Sequence, residues 1–335
     1  MRKLLLTVVG VMLLLVLSAC GEQSQEDVVQ SLNKKVEEMK SYSANATMTL
    51  KMGEDPQTYD VEVWYKNPDF YRVKLKNGKK DQSQMILRNK EGVYVLTPAL
   101  NKSFHFQSDW PKNSSQAYLY ESIVQDIVED KSASFKANDK HYVFETKTRY
   151  QNNKMLPSQE VTLAKKDLSP VSVKVMDPDR NVLVTVQFSK VSFGKSFNKD
   201  DFDMKKNMTG AQLDSAAMAE AKENEFSLKY PADVEGAELV DEKEVATEDG
   251  NRYVLTYEGD KNFTMIAEKA EVVESSTIPT SVLGDPVDLG YTVGVLAEKS
   301  VEWTYDGVNY TIASDNLSQE EMVSIARSVQ VAPVK

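Results

Sequence analysis

Two short strings in the chain have the form that serine chemistry uses. Ser31-Leu32-Asn33-Lys34 sets a hydroxyl three residues from an amine, and Ser314-Asp315-Asn316 offers a hydroxyl, a carboxylate and an amide in a row. Together such groups can activate a serine toward an acyl carbonyl. The set needs a Lys-Thr-Gly string after the second element. The nearest match, Lys147-Thr148-Arg149, lies before it, and both strings arise easily by chance in a chain with this much Ser and Lys, so the serine reading is set aside. His105 and His141 are the only imidazoles. In "SFHFQ" His105 alternates away from Phe104 and Phe106, which turns it toward solvent rather than into a pocket. No His-Glu-x-x-His, Gly-x-Ser-x-Gly or Walker-type phosphate loop occurs. Asp200, Asp201 and Asp203 cluster in "NKDDFD" but lack the glycine and distant glutamate of a calcium loop, so they read as a solvated strand end. The sequence predicts no catalytic residue, no metal site and no cofactor, and the protein is expected not to be an enzyme.

The single thiol, Cys20, does sit in a chemically informative setting. Arg2 and Lys3 precede sixteen uncharged residues, Leu4 to Ala19. A spanning helix needs roughly 20 residues, so the run reads as an export leader that is removed. It ends in Leu17-Ser18-Ala19-Cys20, which resembles a bacterial lipobox. The resemblance implies a diacylglycerol on the Cys20 sulfur and cleavage of residues 1–19 before it. No second cysteine exists for a disulfide, which agrees with a thiol kept for lipid. At about 0.8 kcal/mol per buried methylene, two or more acyl chains hold a protein durably on a bilayer. Residues 20–26 then form a short polar tether, and the body is expected on the outer face of the cytoplasmic membrane.

Charge narrows the partners. The chain carries a formal charge of −11, which becomes −13 when Arg2 and Lys3 are lost. An acidic body is repelled by phosphate backbones and anionic headgroups, so nucleic acid is excluded and the lipid must do the holding.

After the tether the apolar spacing is helical: Val28, Leu32, Val36 and Met39 recur on one face between about Asp27 and Lys40, with Ser24 and Asp27 as a capping box. From Ser43 the period drops to two. Val61, Val63 and Tyr65 alternate with Glu62, Trp64 and Lys66, and Tyr71, Val73 and Leu75 with Arg72, Lys74 and Lys76. More such strands follow to about residue 193, interrupted by one amphipathic segment, Ser115 to Val128, capped by Ser114 or Ser115 and carrying Leu119, Ile123 and Ile127. The fold class is therefore mainly β with some helix (α+β): an incomplete antiparallel barrel wrapped around about two helices over 27–205. If the helices leave its concave face partly open, Val63, Val73, Leu75, Met85, Val95, Phe106, Val173 and Val186 line an apolar hollow. Periodicity equally allows those side chains to be a filled core.

Residues 206–225 are rich in Ala and small polar residues and read as a linker with some helical character. A small α+β domain over 226–335 follows. Its signals are local: Val301, Trp303 and Tyr305 lead into Asp306-Gly307 and then Val308, Tyr310 and Ile312, a hairpin, and Ser318 with Glu321 caps a helix bearing Met322, Ile325 and Val329.

The stretches "VWYKNPDFYRVKL", "LRNKEGVYVLTPALNKSF" and "DLSPVSVKVMDPDRNVLVTVQFSKVSFGKSFNKDDF" resemble the lipoprotein carrier and receptor superfamily that includes LolA, LolB and the sensor-domain relatives of RseB. The likeness is closer still to YdcC-type, sporulation-associated lipoproteins of Gram-positive spore formers. It covers residues 22 to about 205 and implies an unclosed barrel with helices over its mouth and an apolar cavity for lipid, acyl chain or lipoprotein, serving sporulation or envelope maintenance. The ending "WTYDGVNYTI…LSQEEMVSIARSV" resembles a C-terminal module of unknown function in Gram-positive envelope proteins. One departure matters. The soluble carriers shuttle and have no lipobox, whereas a tethered chain can receive, sense or scaffold only at its own membrane. Two readings stand: a lipid-binding module, or a tethered interaction platform or sensor for an envelope protein such as a cell-wall enzyme.

Overall fold

Ser24 starts the first element. Its hydroxyl accepts the Asp27 amide at 3.2 Å, and the Asp27 carboxylate accepts the Ser24 amide at 3.2 Å, so two amides without intrahelical partners are satisfied at once. Helix α1 (Gln25–Glu38) follows and buries Val28 and Leu32. The computed structural model describes residues 23–329 apart from 52–55, 79–81, 151–153, 217–225, 227, 233, 235, 248–249 and 273–277, with only the backbone of 82 and 213–216. Cys20 and the leader lie outside the described residues.

The alternating segments form strands β1 (Ser41–Leu50), β2 (Gln57–Lys66), β3 (Phe70–Asn77), β4 (Gln82–Asn89), β5 (Gly92–Thr97) and β6 (Lys102–Phe106). Helix α2 (Tyr120–Glu129) intervenes, and β7 (Ser134–Ala137), β8 (His141–Lys147), β9 (Ser158–Ala164), β10 (Pro170–Met176) and β11 (Val182–Phe193) complete the run. All pair antiparallel in the order β6-β5-β4-β3-β2-β1-β11-β10-β9-β8-β7, with β1 at the centre of an unclosed sheet. This is the incomplete barrel. Its concave face packs on α2, which reaches β1 at one end, where the Tyr120 amide donates to the Tyr42 hydroxyl at 3.1 Å. At the other end Asp126 receives Gln159 Nε2 of β9 at 2.6 Å, Ser115 Oγ at 2.8 Å and Arg149 Nε at 2.6 Å. Burial raises the Asp126 carboxyl, opposed by the Arg149 charge and these hydrogen bonds.

Two local readings shift. The helix expected from Ser115 begins at Tyr120, because Ser115 spends its hydroxyl on Asp126 instead of on a helical amide, and Leu119 at the cap makes no side-chain bond. The expected linker, 206–225, is helical over the part described: helix α3 (Met204–Ala216) lays Met208 and Ala211 on the convex face against Met85, Leu87, Tyr94 and Leu96.

The rest of the chain builds a second antiparallel sheet from β12 (Ala237–Thr247), β13 (Gly250–Gly259), β14 (Phe263–Lys269), β16 (Asp285–Asp288), β17 (Val293–Leu296), β18 (Ser300–Tyr305) and β19 (Val308–Ala313), in the order β12-β13-β14-β19-β18-β17-β16. Asp306 and Gly307 both hold positive φ, 54° and 77°, as a tight two-residue hairpin demands. Helix α4 (Gln319–Ser328) starts at the Ser318/Glu321 capping box and packs on β18 and β19. One strand crosses over. β15 (Thr280–Val282) leaves this second unit and pairs parallel with β6, becoming the twelfth strand of the first sheet.

Candidate functional site

Of the eight side chains expected to line a hollow, seven share the concave face. Val63 stands opposite Val73 and Ala44, and Val173 and Val186 are paired with each other. Val63, Val73, Val95, Phe106, Val173 and Val186 are all buried in one continuous core. They touch neighbours rather than open space. Met85 lies on the other face: it stands opposite Lys74 and Leu96 and packs beneath α3, while its neighbour Ile86 takes the inward place beside Val73 and Val95. Of the seven on the concave face, Leu75 lines a cavity; Met85 borders a separate space on the convex side, beside Trp64, Arg72 and α3.

That cavity, about 230 Å³, sits where the ends of β1 to β5 meet the second sheet. Met48, Tyr59, Leu75 and Leu100 form its floor, and Tyr291 and Tyr305 form its roof. The roof is held down by hydrogen bonds between the units. Gln84 takes the concave-face position opposite Leu75, and its amide spans the joint: Oε1 accepts the Val293 amide at 2.7 Å and the Thr292 hydroxyl at 3.0 Å, and Nε2 donates to the Val293 carbonyl at 3.3 Å. Gln57 Nε2 donates to the Tyr305 hydroxyl at 2.7 Å, and Tyr59 donates to the Tyr291 carbonyl at 2.8 Å. Burial pushes the Tyr59 and Tyr291 phenols above their ordinary range, so both stay neutral donors. The hairpin turn at Asp306-Gly307 also borders the space. What results is an apolar recess with a few fixed polar groups, the usual character of a small-molecule site, though below the ~300–1,000 Å³ that encloses a whole drug-sized ligand. It has room for part of an acyl chain.

A second, far smaller space of about 10 Å³ adjoins it, with Met48 and Gly290 in the lining of both. Asp288 and Arg327 of the second unit face Tyr118 and Tyr150 of the first across it. Burial raises the Asp288 carboxyl and lowers Arg327, each opposed by the charge of the other.

The groups that could have done chemistry are engaged locally. Ser31 Oγ donates to the Asp27 carbonyl one helical turn back at 2.8 Å. Ser314 Oγ donates to the Asn262 carbonyl at 2.6 Å and accepts the amides of Asn316 and Leu317, closing a turn in the other unit. His105 stacks on Tyr94 at 4.5 Å on the convex face, as its alternation implies. Asp201 caps a 3-10 turn by accepting the Asn198 amide at 2.9 Å. Among the described residues no cluster of His, Cys, Asp and Glu could hold a metal ion, and no helix is long and apolar enough to cross a membrane.

The sequence reading did not single out Gln84, Tyr291 or Arg327. Each has its role only because two units dock, and no periodicity within either unit marks it.

These elements together build an open half-barrel on two helices with an α+β module closing one rim. Residues 1–202 match the family described as sporulation protein YdcC-like. The chain is 53% identical over 330 residues to sporulation protein YdcC of Bacillus subtilis (strain 168), an alignment covering 98% of this chain and 97% of that protein. It belongs to this family. Among solved structures, the Pseudomonas aeruginosa MucA/MucB complex matches over 90% of this chain and 95% of its own, at 12% identity and a TM-score of 0.33. An outer membrane lipoprotein-sorting protein domain from Vibrio parahaemolyticus matches over 55% and 99%, at 14% and 0.34. A chain in the Clostridioides difficile CwlD amidase complex with the GerS lipoprotein matches over 53% and 98%, at 17% and 0.31. Likenesses this distant bear on neither ligand nor partner.

Proposed function

We propose that this protein is a sporulation lipoprotein that binds an acyl chain, from a lipid or a lipoprotein, in the recess between the half-barrel rim and the C-terminal module. A diacylglycerol on Cys20 holds it to the outer face of the cytoplasmic membrane. The reading is of a binding protein without chemistry of its own. The observation that carries it is the roofed apolar recess at Leu75, in a fold whose concave face is otherwise packed. The anchor fits that placement. Gln23, three residues after Cys20, already receives the Tyr142 hydroxyl at 2.6 Å, so the body stands within roughly 10 Å of the lipidated residue. A sheet held that close can take an acyl chain from the bilayer without a journey through water.

The test is native mass spectrometry with lipid extraction on the chain from Gly21 onward, which retains every described residue, purified without detergent. Co-purifying lipid or lipopeptide, displaced by a fluorescent fatty acid and lost in Leu75→Glu and in Ala99→Trp, is the expected result. A clean apoprotein that ignores the probe overturns the reading and leaves the tethered platform.

A further inference from the structure

Arg327 is the least expected residue in the joint. It lies in the last turn of α4, is only 4% exposed, and has two of its three guanidinium nitrogens, Nε and Nη1, without a hydrogen-bond partner. The third, Nη2, donates to the backbone carbonyl of Asp288 at 2.8 Å. No carboxylate of the described residues makes an ion pair with it, Asp288 included. The Tyr150 ring lies 5.9 Å from the guanidinium carbon, and Tyr118, on the same wall, gives its hydroxyl proton to Gln116. A buried cation with unmet donors is costly, and folded proteins rarely leave one without a partner that arrives from elsewhere.

The position of this cation tells what could arrive. The small space beside Arg327, which Asp288 also lines, shares Met48 and Gly290 with the apolar recess, so the guanidinium and the recess are neighbours across those two residues. The space is about 10 Å³, near the volume that admits a single water-sized atom. One carboxylate oxygen fits there. A phosphodiester, with four oxygens and two ester arms, does not.

We infer that the recess selects free long-chain carboxylic acids: the chain lies against Leu75, Tyr59 and Tyr305, and a carboxylate oxygen accepts from the unpartnered N–H groups of Arg327. This rests on the acyl-chain reading above and adds the head group to it. A charge-assisted hydrogen bond out of water gives such an acid an advantage over an alcohol of the same length, whose neutral hydroxyl meets the cation less well.

The experiment is displacement of an uncharged fluorescent probe, aminoanthracene, from the chain from Gly21 onward at pH 8, by palmitic acid and by hexadecanol. Palmitic acid is expected to displace it about ten-fold more tightly or better. Arg327→Met is expected to erase that preference, so that palmitic acid and hexadecanol displace the probe alike. Equal displacement by acid and alcohol from the unaltered chain overturns the head-group assignment, places a trapped water at Arg327 and leaves the acyl reading standing. Displacement by neither sinks the acyl reading and the assignment with it. The comparison on the unaltered chain decides even where Arg327→Met fails to fold.

Discussion

The concave face of the half-barrel and its rim are built from the same strands, yet one is packed and the other is open. On the face, α2 presses Tyr120, Ile123, Val124 and Ile127 into the sheet, and Val63, Val73, Val95, Phe106, Val173 and Val186 are all packed in the same core. At the rim the cover is a separate unit, held by side-chain amides and phenols and fitting less tightly. A helix contiguous with its sheet fills a hollow. A docked module bridges one. The difference leaves open space where two independently built surfaces meet, which is where proteins generally place ligand sites.

If that contrast is right, substitutions on the face cost stability and those at the rim cost ligand. The largest stability effect is expected for Asp126→Ala, which strands Arg149 and removes the acceptor shared by Ser115 and Gln159. Breaking one partner of a buried pair costs about 3–5 kcal/mol, read as a lowered urea midpoint. Ile123→Ala, fully buried in α2, follows at about 2–5 kcal/mol, with the chain that still folds taking up probe normally. If Ile123→Ala instead altered uptake, the face would be part of the site and the contrast would fail.

A pH effect belongs to the same face. Glu121 sits among Tyr42, Tyr65, Tyr71 and Tyr120, with Oε1 shut away from solvent and unpartnered. Desolvation pushes its carboxyl up from 4.5 to about 8, against the pull of the Tyr42 hydrogen bond. Between those values the folded chain keeps a proton that the unfolded chain has released. Stability should therefore be greatest below about pH 4.5 as far as this group is concerned, fall as pH rises through the window, and level off above about 8. Thermal melts of Glu121→Gln should lose that part of the decline. Ser318→Ala, which opens the cap of α4, is expected to cost about 1 kcal/mol. Ala99→Trp, at an exposed position bordering the recess, should change stability by no more than about 0.5 kcal/mol while blocking uptake. It is the smallest energetic change and the sharpest test of the rim.

What the sequence could show was what is local. The caps at Ser24 and Ser318 and the hairpin at Asp306-Gly307 are set by neighbours within four residues, and all three are where their spacing places them. Alternation gave the strands and the inward sense of Val63, Val73 and Leu75, because their outward neighbours, Trp64 apart, are charged. It misassigned Met85 because "QMILRN" is apolar on both faces, its outer one lying under α3, and a strand covered on both sides has no polar phase to read. The recess was out of reach for a related reason. Leu75 and Tyr291 are neighbours only through docking, and nothing in the spacing of either segment encodes the other.

The parallel strand β15 carries a consequence for how the chain comes into being. It covers the edge of β6 with residues that follow it by about 175 positions. As the chain is synthesised from its N-terminus onward, the half-barrel waits with that edge bare until nearly the whole protein has been made, and a bare strand edge invites pairing with another chain. The C-terminal module thus acts as a late guard of the first unit during its own maturation, and a product cut short near residue 205 is expected to self-associate, visible as large species in size-exclusion chromatography.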